Sequence, residues 1–235
     1  MGGVNARLDS AARFVRQGAV FADIGTDHAY LPLFLLKEGR ITHAFCTDVN
    51  EGPLKIAEKN ACAEGLSGSI TFRLADGAEG LMDEGITDYA ICGMGGELIA
   101  AIIDRSKHLF DPSLSLILQP MSRQEHLRSY LYRNGFSIKC ESYSYDGGKY
   151  YVCMLVCYTG ECVALNEFEA NFGVKNTEYV NKSAQIGYLK TKLAALNRAA
   201  KGKLSASENA EYELRLIKYG ESLSDRILAH MEDGI

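Results

Sequence analysis

Val20-Phe21-Ala22-Asp23-Ile24-Gly25-Thr26-Asp27-His28-Ala29-Tyr30-Leu31-Pro32 decides how the chain reads. Val20 to Ile24 is a short β-branched and aromatic run of the kind buried in a parallel sheet. Gly25 marks a turn, and Pro32 opens a helix, because in a first turn its missing N–H has no partner to lose. Strand, glycine turn and helix in that order predict the first unit of a nucleotide-type α/β fold.

The same alternation continues on both sides. Upstream, Arg7 to Gln17 reads as an amphipathic helix with Leu8, Ala11, Ala12 and Val15 on one face. Downstream, strands are predicted at Ala44–Val49, Ser69–Leu74, Asp88–Cys92 and Leu114–Leu118, with helices at Leu31–Lys37, Gly52–Ala63, Glu97–Lys107 and Ser122–Asn134 between and after them. Phe136–Ser144 and Tyr150–Tyr158 read as two strands joined through Asp146-Gly147-Gly148, a hairpin signal. The expected architecture is a mostly parallel doubly wound sheet closed by an antiparallel hairpin. Ligands of such sheets lie outside the C-terminal strand ends. Gly25 to His28, Asp48, Asp76-Gly77, Gly93 to Gly96 and Gln119-Pro120 all fall there.

Beyond Gly160 the pattern becomes long helices. Ile186, Leu189, Leu193 and Leu196 recur at three and four, as do Tyr212, Leu216, Tyr219 and Leu223, with a break expected at Lys201-Gly202-Lys203-Leu204-Ser205. A coiled-coil-like appendage over 161–235, following a catalytic-type domain over 1–160, is the expected organisation. Helices that simply pack on the sheet would give the same spacing.

Composition narrows the class. The 235 residues are 47% hydrophobic and 23% charged, enough for a substantial core. No run of about 18 apolar residues exists, and Met1 to Gln17 lacks the apolar segment of a secretory signal, so a cytoplasmic protein without a membrane partner is expected. Seven cysteines show no CxxC spacing and no neighbouring histidine pattern, which argues for packed thiols in a reducing compartment and against a metal. The net charge of −5 argues mildly against nucleic acid. Its distribution reverses that: between Glu178 and Glu208 stand Lys182, Lys190, Lys192, Arg198, Lys201 and Lys203 with no acidic residue, a surface able to track phosphates. A solvated helix face would look alike.

The turn itself selects among ligands. A dinucleotide site wants several glycines, so that backbone N–H groups can approach a pyrophosphate. Here Gly25 stands alone between Asp23 and Asp27, which repel a diphosphate and attract a cation. S-adenosylmethionine, with a sulfonium, an ammonium and no phosphate, fits better than NAD. Asp48, with Val49 beside it, is placed for ribose hydroxyls, and Asp76, followed by Gly77, for an adenine amino group. Each carboxylate alone also reads as a cap or turn residue. Gly93 to Gly96 lies where a methyl acceptor would sit, though a tight turn would also use glycine. A loop histidine such as His28 commonly serves as a hydrogen-bond partner.

Ala22 through Pro32, Asp48 with Gly52-Pro53, Gly93-Met94-Gly95-Gly96 and Leu118-Gln119-Pro120 together resemble the bacterial tRNA adenine-22 N1-methyltransferases over about Arg7 to Tyr158. Two departures stand out: Val4-Asn5-Ala6 precedes Arg7-Leu8 in place of the family's Leu-Ser, and Met121 follows Gln-Pro where Asn is common. The resemblance implies a Rossmann-like class I methyltransferase sheet, S-adenosyl-L-methionine as cofactor and tRNA as partner. It implies methyl transfer to N1 of an adenine in the D-arm region. It matches Asp27 to the family's catalytic carboxylate. Asp23, Gly25, His28, Asp48, Val49, Asp76, Gly77 and Gly93 are then expected on the cofactor, and Arg7, Tyr30, Met94, Gly95, Gly96, Gln119, Pro120, Lys190 and Lys192 on the RNA. Other readings are a methyltransferase of another RNA or a small molecule, an NAD-dependent oxidoreductase, or a non-catalytic cofactor-binding module. The oligomeric state is left open, with a monomer as the working expectation.

Overall fold

The strand that carries the Gly25 loop lies inside the sheet, next to its central strand. The computed structural model describes residues 5–82, 84–173 and 181–232. Val4 and Glu178, which bound two of the sequence readings, lie outside the described residues. The elements run α1 (Ala6–Ala12), β1 (Ala19–Ile24), α2 (Tyr30–Lys37), β2 (Ile41–Asp48), α3 (Glu51–Ala63), β3 (Ile70–Leu74), β4 (Asp88–Gly95), α4 (Gly96–Arg105), β5 (Ser115–Ser122), α5 (Gln124–Arg133), β6 (Phe136–Asp146), β7 (Lys149–Tyr158), α6 (Glu167–Phe172), α7 (Lys182–Ser205) and α8 (Glu211–Glu232). The strand order is β3-β2-β1-β4-β5-β7-β6. β3, β2, β1, β4 and β5 are parallel, while β7 runs antiparallel to both β5 and β6. The chain winds outward from β1 to β3 and then returns to β4 on β1's other side. That reversal makes the gap between β1 and β4 the topological switch point, where open α/β sheets bind ligands.

The two faces of the sheet bury different elements. Ala11, Leu31, Leu35, Ala57 and Ala61 of α1, α2 and α3, with Val15 just after α1, cover one face. Ile99, Ile103, Leu127 and Leu131 of α4 and α5 cover the other, joined by Ala184 and Tyr188 of α7. α7 reaches the sheet because Gly187 offers no side chain: a β-carbon there would collide with the Tyr150 ring of β7. Farther along, Leu189, Leu196, Leu216, Tyr219 and Leu223 close a small core with Phe168 and Phe172 of α6. The helical pair therefore does both things the spacing allowed, packing on the sheet at one end and on itself at the other.

A buried ion pair ties these layers together. Arg128 of α5 donates through Nε to Glu141 of β6 at 2.7 Å and through Nη1 to the Ala170 carbonyl at 3.0 Å. Tyr143 donates to the other Glu141 oxygen at 2.8 Å. Such a pair contributes little net stability, but removing one partner leaves an uncompensated charge and costs about 3–5 kcal/mol.

Several boundaries differ from the sequence reading. α1 stops at Ala12 rather than Gln17, because Arg16 leaves the helix to bind the fully buried Asp88 at the start of β4. β4 and β5 do not end at Cys92 and Leu118 but continue paired through two register shifts, Met94 opposite Pro120 and Gly95 opposite Ser122. Pro120 is tolerated because β7 pairs with β5 only from Leu116 to Leu118, so no ladder partner is lost. The break expected at 201–205 is helical; the turn comes at 206–210, with Ser207 in the left-handed region and Asn209 accepting from the Glu211 N–H. One glycine costs a helix only about 1 kcal/mol, and beyond it Ala200 packs with Ala210 and Ile217. α6 was not anticipated, although Asn166 and Glu169 form a capping box at its start.

Candidate active site

The loop after β1 is fixed by backbone bonds. The N–H groups of Gly25 and Thr26 both donate to the Thr47 carbonyl of β2 at 2.8 Å. Gly25 has φ +74°, a conformation that side chains rarely adopt, and a β-carbon there would meet the Met94 methyl. Only the flexible end of Met94, from the end of β4, therefore covers this glycine.

Asp23 ends the buried part of β1. Thr26, itself buried, donates its hydroxyl to Asp23 at 2.5 Å. Burial pushes the Asp23 carboxyl up from 3.8 to about 6, against the opposing pull of the Thr26 hydroxyl and the Arg7 guanidinium; Asp48 adds a small push in the same direction as burial. Arg7 is aimed by Gln119: the guanidinium donates to the Gln119 side-chain oxygen at 3.3 Å, and the Gln119 amide returns a bond to the Arg7 carbonyl at 3.0 Å. The Arg7 guanidinium also stands over Gly93, in ordinary contact with where a β-carbon would be. Arg7, Asp23, Gly93 and Gln119 thus form one cluster at the switch point.

Asp27 and its neighbours are held far more loosely. The Asp27 side chain is 76% exposed and touches His28 Nε2 at 3.3 Å. The His28 ring lies 5.1 Å from that of Tyr30, which is 58% exposed. α2 begins directly behind them, its N-cap Ala29 giving no side-chain hydrogen bond.

Asp48 accepts from the Asn50 N–H at 2.8 Å through one oxygen, and Val49 beside it is exposed. Asp76 is engaged by Arg105 of α4 at 2.8 Å, and Gly77 lets the backbone pass close to Ile102, so both serve the packing of α4. Gly95 faces Ser122, and Gly96 sits tightly against the Arg123 carbonyl. The structure thus gathers Arg7, Asp23, Gly25, Asp27, His28, Tyr30, Asp48, Gly93 to Gly96, Gln119 and Pro120 at the C-terminal edge of β1, β2, β4 and β5. Lys190 and Lys192 lie elsewhere, on α7. Lys190 is exposed, whereas Lys192 is turned inward, 3.4 Å from Glu125. Thr26, Thr47, Arg105 and Arg128 escaped the sequence reading. Among the described residues no cluster of His, Cys, Asp or Glu is built to hold a metal ion, and no helix is long and apolar enough to cross a membrane.

The arrangement can bind a polar cationic ligand against carboxylates and backbone, and present it to a planar acceptor entering beside Asp27 and Met94. Residues 4–154 match a family model described as a methyltransferase domain. The chain is 29% identical over 221 residues to the tRNA (adenine(22)-N(1))-methyltransferase of Bacillus subtilis, covering 94% of this chain and 92% of that protein. It is 31% identical to a Streptococcus pneumoniae structure in complex with S-adenosyl-L-methionine, with TM-score 0.76, covering 92% of this chain and 100% of that one. A structure of M. capricolum TrmK with S-adenosyl-homocysteine is 27% identical, with TM-score 0.72, covering 97% and 98% of the two chains.

Proposed function

The chain belongs to the methyltransferase-domain family and, within it, to the tRNA (adenine-22-N1)-methyltransferases, and we propose that its switch-point loop performs that reaction with Asp27 facing the acceptor. It is an S-adenosyl-L-methionine-dependent enzyme whose product is N1-methyladenine in tRNA, and a tRNA substrate supports reading it as a cytoplasmic protein. The observation that carries the reading is the pairing of one bare glycine turn, capped only by Met94, with Asp23, Asp27 and Asp48 around it.

These residues fit the cofactor. When bound, S-adenosyl-L-methionine supplies a methyl group on a positively charged sulfur. Asp48 has one oxygen free for ribose hydroxyls, and Asp23, with Thr26 and Arg7, forms the pole for the ammonium and carboxylate of the methionine part. Gly25 and Gly93 let the backbone approach, and Met94 yields by rotating its side chain. Asp76 and Gly77 hold α4, and so shape this pocket from behind.

The acceptor half works differently. N1 of adenine carries an in-plane lone pair and needs no base to remove a proton. It sits on the pairing edge, so the base must leave its helix. Tyr30 offers an exposed ring for the extruded base to stack on. Asp27 accepts a hydrogen bond from the N6 amino group, and this bond strengthens as positive charge spreads into the ring. Lys190 and the exposed cations of α7 follow the RNA backbone.

Incubating the protein with labelled S-adenosyl-L-methionine and unmodified bulk tRNA tests the assignment. Nuclease digestion and mass analysis should place the label in N1-methyladenine at one D-arm position. Label in another nucleoside, or none in tRNA, would overturn it.

A further inference from the structure

Gln119 has no surface for an RNA to touch. The family resemblance puts it among the residues expected on the RNA, yet its side chain is wholly buried. It pairs with Cys92 of β4, the residue before Gly93. Around it Ala90, Ile117, Cys140 and Cys153 belong to the apolar layer that also holds Ala11 of α1. A polar group in such a layer is costly unless its bonds are completed.

The side-chain amide of Gln119 directs its bonds to α1. Its nitrogen donates to the Arg7 carbonyl at 3.0 Å and reaches the Ser10 hydroxyl at 3.5 Å, and its oxygen accepts from Arg7 Nη1 at 3.3 Å. A carbonyl can only accept, so the nitrogen must face it, and the oxygen is left for the guanidinium. The guanidinium is thereby held over Gly93, with its centre 5.9 Å from that of the Tyr151 ring. Its charge acts on Asp23, but among the described residues no carboxylate forms an ion pair with it.

An amide is the partner that permits this. It fixes the direction of a guanidinium and leaves the charge whole, where a carboxylate would fix it and cancel it. A half-buried cation and a buried carboxylate, close together but unpaired, match a zwitterion whose ammonium and carboxylate sit on one carbon. A phosphodiester offers no cation for Asp23 and would be repelled by it. We propose that Gln119 is a positioning residue for the cofactor: by aiming Arg7 it gives the site its preference for ligands that carry a free α-carboxylate. This rests on the reading above of Asp23 and Arg7 as the pole for the methionine part.

The same bonds tie α1 to the sheet, so the measurement has to separate aim from anchorage. Two ligands do so. S-adenosyl-homocysteine carries the amino-acid part, and 5′-methylthioadenosine has the same adenosine and thioether without it. Gln119→Met keeps the length of the side chain and removes its bonds, while the Ser10 hydroxyl still donates to the Arg7 carbonyl at 2.7 Å. By calorimetry this variant should bind S-adenosyl-homocysteine about tenfold more weakly, as for one charge-assisted hydrogen bond lost, and 5′-methylthioadenosine as before. Gln119→Glu, which cancels the Arg7 charge without shortening the side chain, should show the same selective loss. Arg7→Met should also lose S-adenosyl-homocysteine selectively, and Gln119→Met added to it should cost little more, because both act through one contact. KM for tRNA in Gln119→Met, at saturating S-adenosyl-L-methionine, should not move. Equal weakening of both ligands, or losses that add in the double variant, would make Gln119 an anchor for α1 and overturn the proposal. A raised KM for tRNA with S-adenosyl-homocysteine affinity at its original value would overturn it too. If the unsubstituted chain bound both ligands equally, the assignment of Asp23 and Arg7 to the amino-acid part would itself fall, and the role of Gln119 with it.

Discussion

The two halves of the switch-point loop are built to opposite standards. On the cofactor side, Asp23 is buried, bonded to Thr26 and set against Arg7, while Gly25 and Thr26 are strapped to Thr47. On the side proposed to face the acceptor, Asp27 and Tyr30 stand in solvent, with His28 beside both. The small ligand thus meets a prepared surface. Under the proposed assignment the RNA would finish organising its own half, which would tie catalysis to the arrival of the right substrate.

Asp27→Ala is the sharpest way to break this contrast. Methyl transfer should fall on the order of a hundredfold to a thousandfold, with the Kd for S-adenosyl-L-methionine within about twofold of the original by calorimetry. Equal losses in both would move Asp27 to the cofactor side.

Asp23→Asn tests the other half. Because burial raises the Asp23 carboxyl from 3.8 to about 6, the folded chain holds a proton across that window that the unfolded chain has released. Stability from this group therefore falls as pH rises from about 4 to about 6, and the whole cost remains above it. The asparagine variant should be more stable at pH 7.5, by up to about 3 kcal/mol at roughly 1.4 kcal/mol per pKa unit. Urea titration at pH 7.5 and 4.5 would read this, with the gain shrinking at the lower pH. Its cofactor affinity should drop about tenfold or more, as for a lost charge-assisted hydrogen bond. In the unsubstituted chain, affinity should weaken as pH falls through about 6.

Lys190→Glu should weaken tRNA binding severalfold and lower the salt dependence by about one to two phosphate contacts, with cofactor binding untouched. The smallest effect concerns neither half. Gly202 is exposed within α7 with open space around it, so Gly202→Ala should stabilise the chain by about 0.5–1 kcal/mol in thermal melts and leave both affinities alone.

The parts of this site that sequence makes legible are those whose chemistry is local. One glycine between two aspartates excludes a diphosphate without reference to any other residue. Asp48, at a strand end, needs only the strand to be recognised. The unread parts depend on distant partners. Arg105 reaches Asp76 from 29 positions away, a brace for α4 that the sequence around Asp76 does not announce. Arg128 sits in an amphipathic helix, where arginine ordinarily means surface, and its burial is visible only once Glu141 and the Ala170 carbonyl come together. Lys190 and Lys192 look equivalent in a basic run, but two positions on a helix are about 200° apart, so one faces water and the other Glu125. The turn between α7 and α8 falls later than the sequence suggests because Gly202 is a strong local signal and the packing that overrides it lies eight and fifteen residues on, at Ala210 and Ile217.

The position of β7 has a consequence for how the protein is made. This strand comes last in the chain order of the sheet, yet it lies inside it, between β5 and β6. Until Lys149 to Tyr158 have left the ribosome, β5 presents Leu116, Ile117 and Leu118 as an unpaired apolar edge, and β6 has no strand to pair with. The sheet therefore cannot close in the order in which it is synthesised, and a nascent chain stalled before Lys149 is the species most exposed to aggregation.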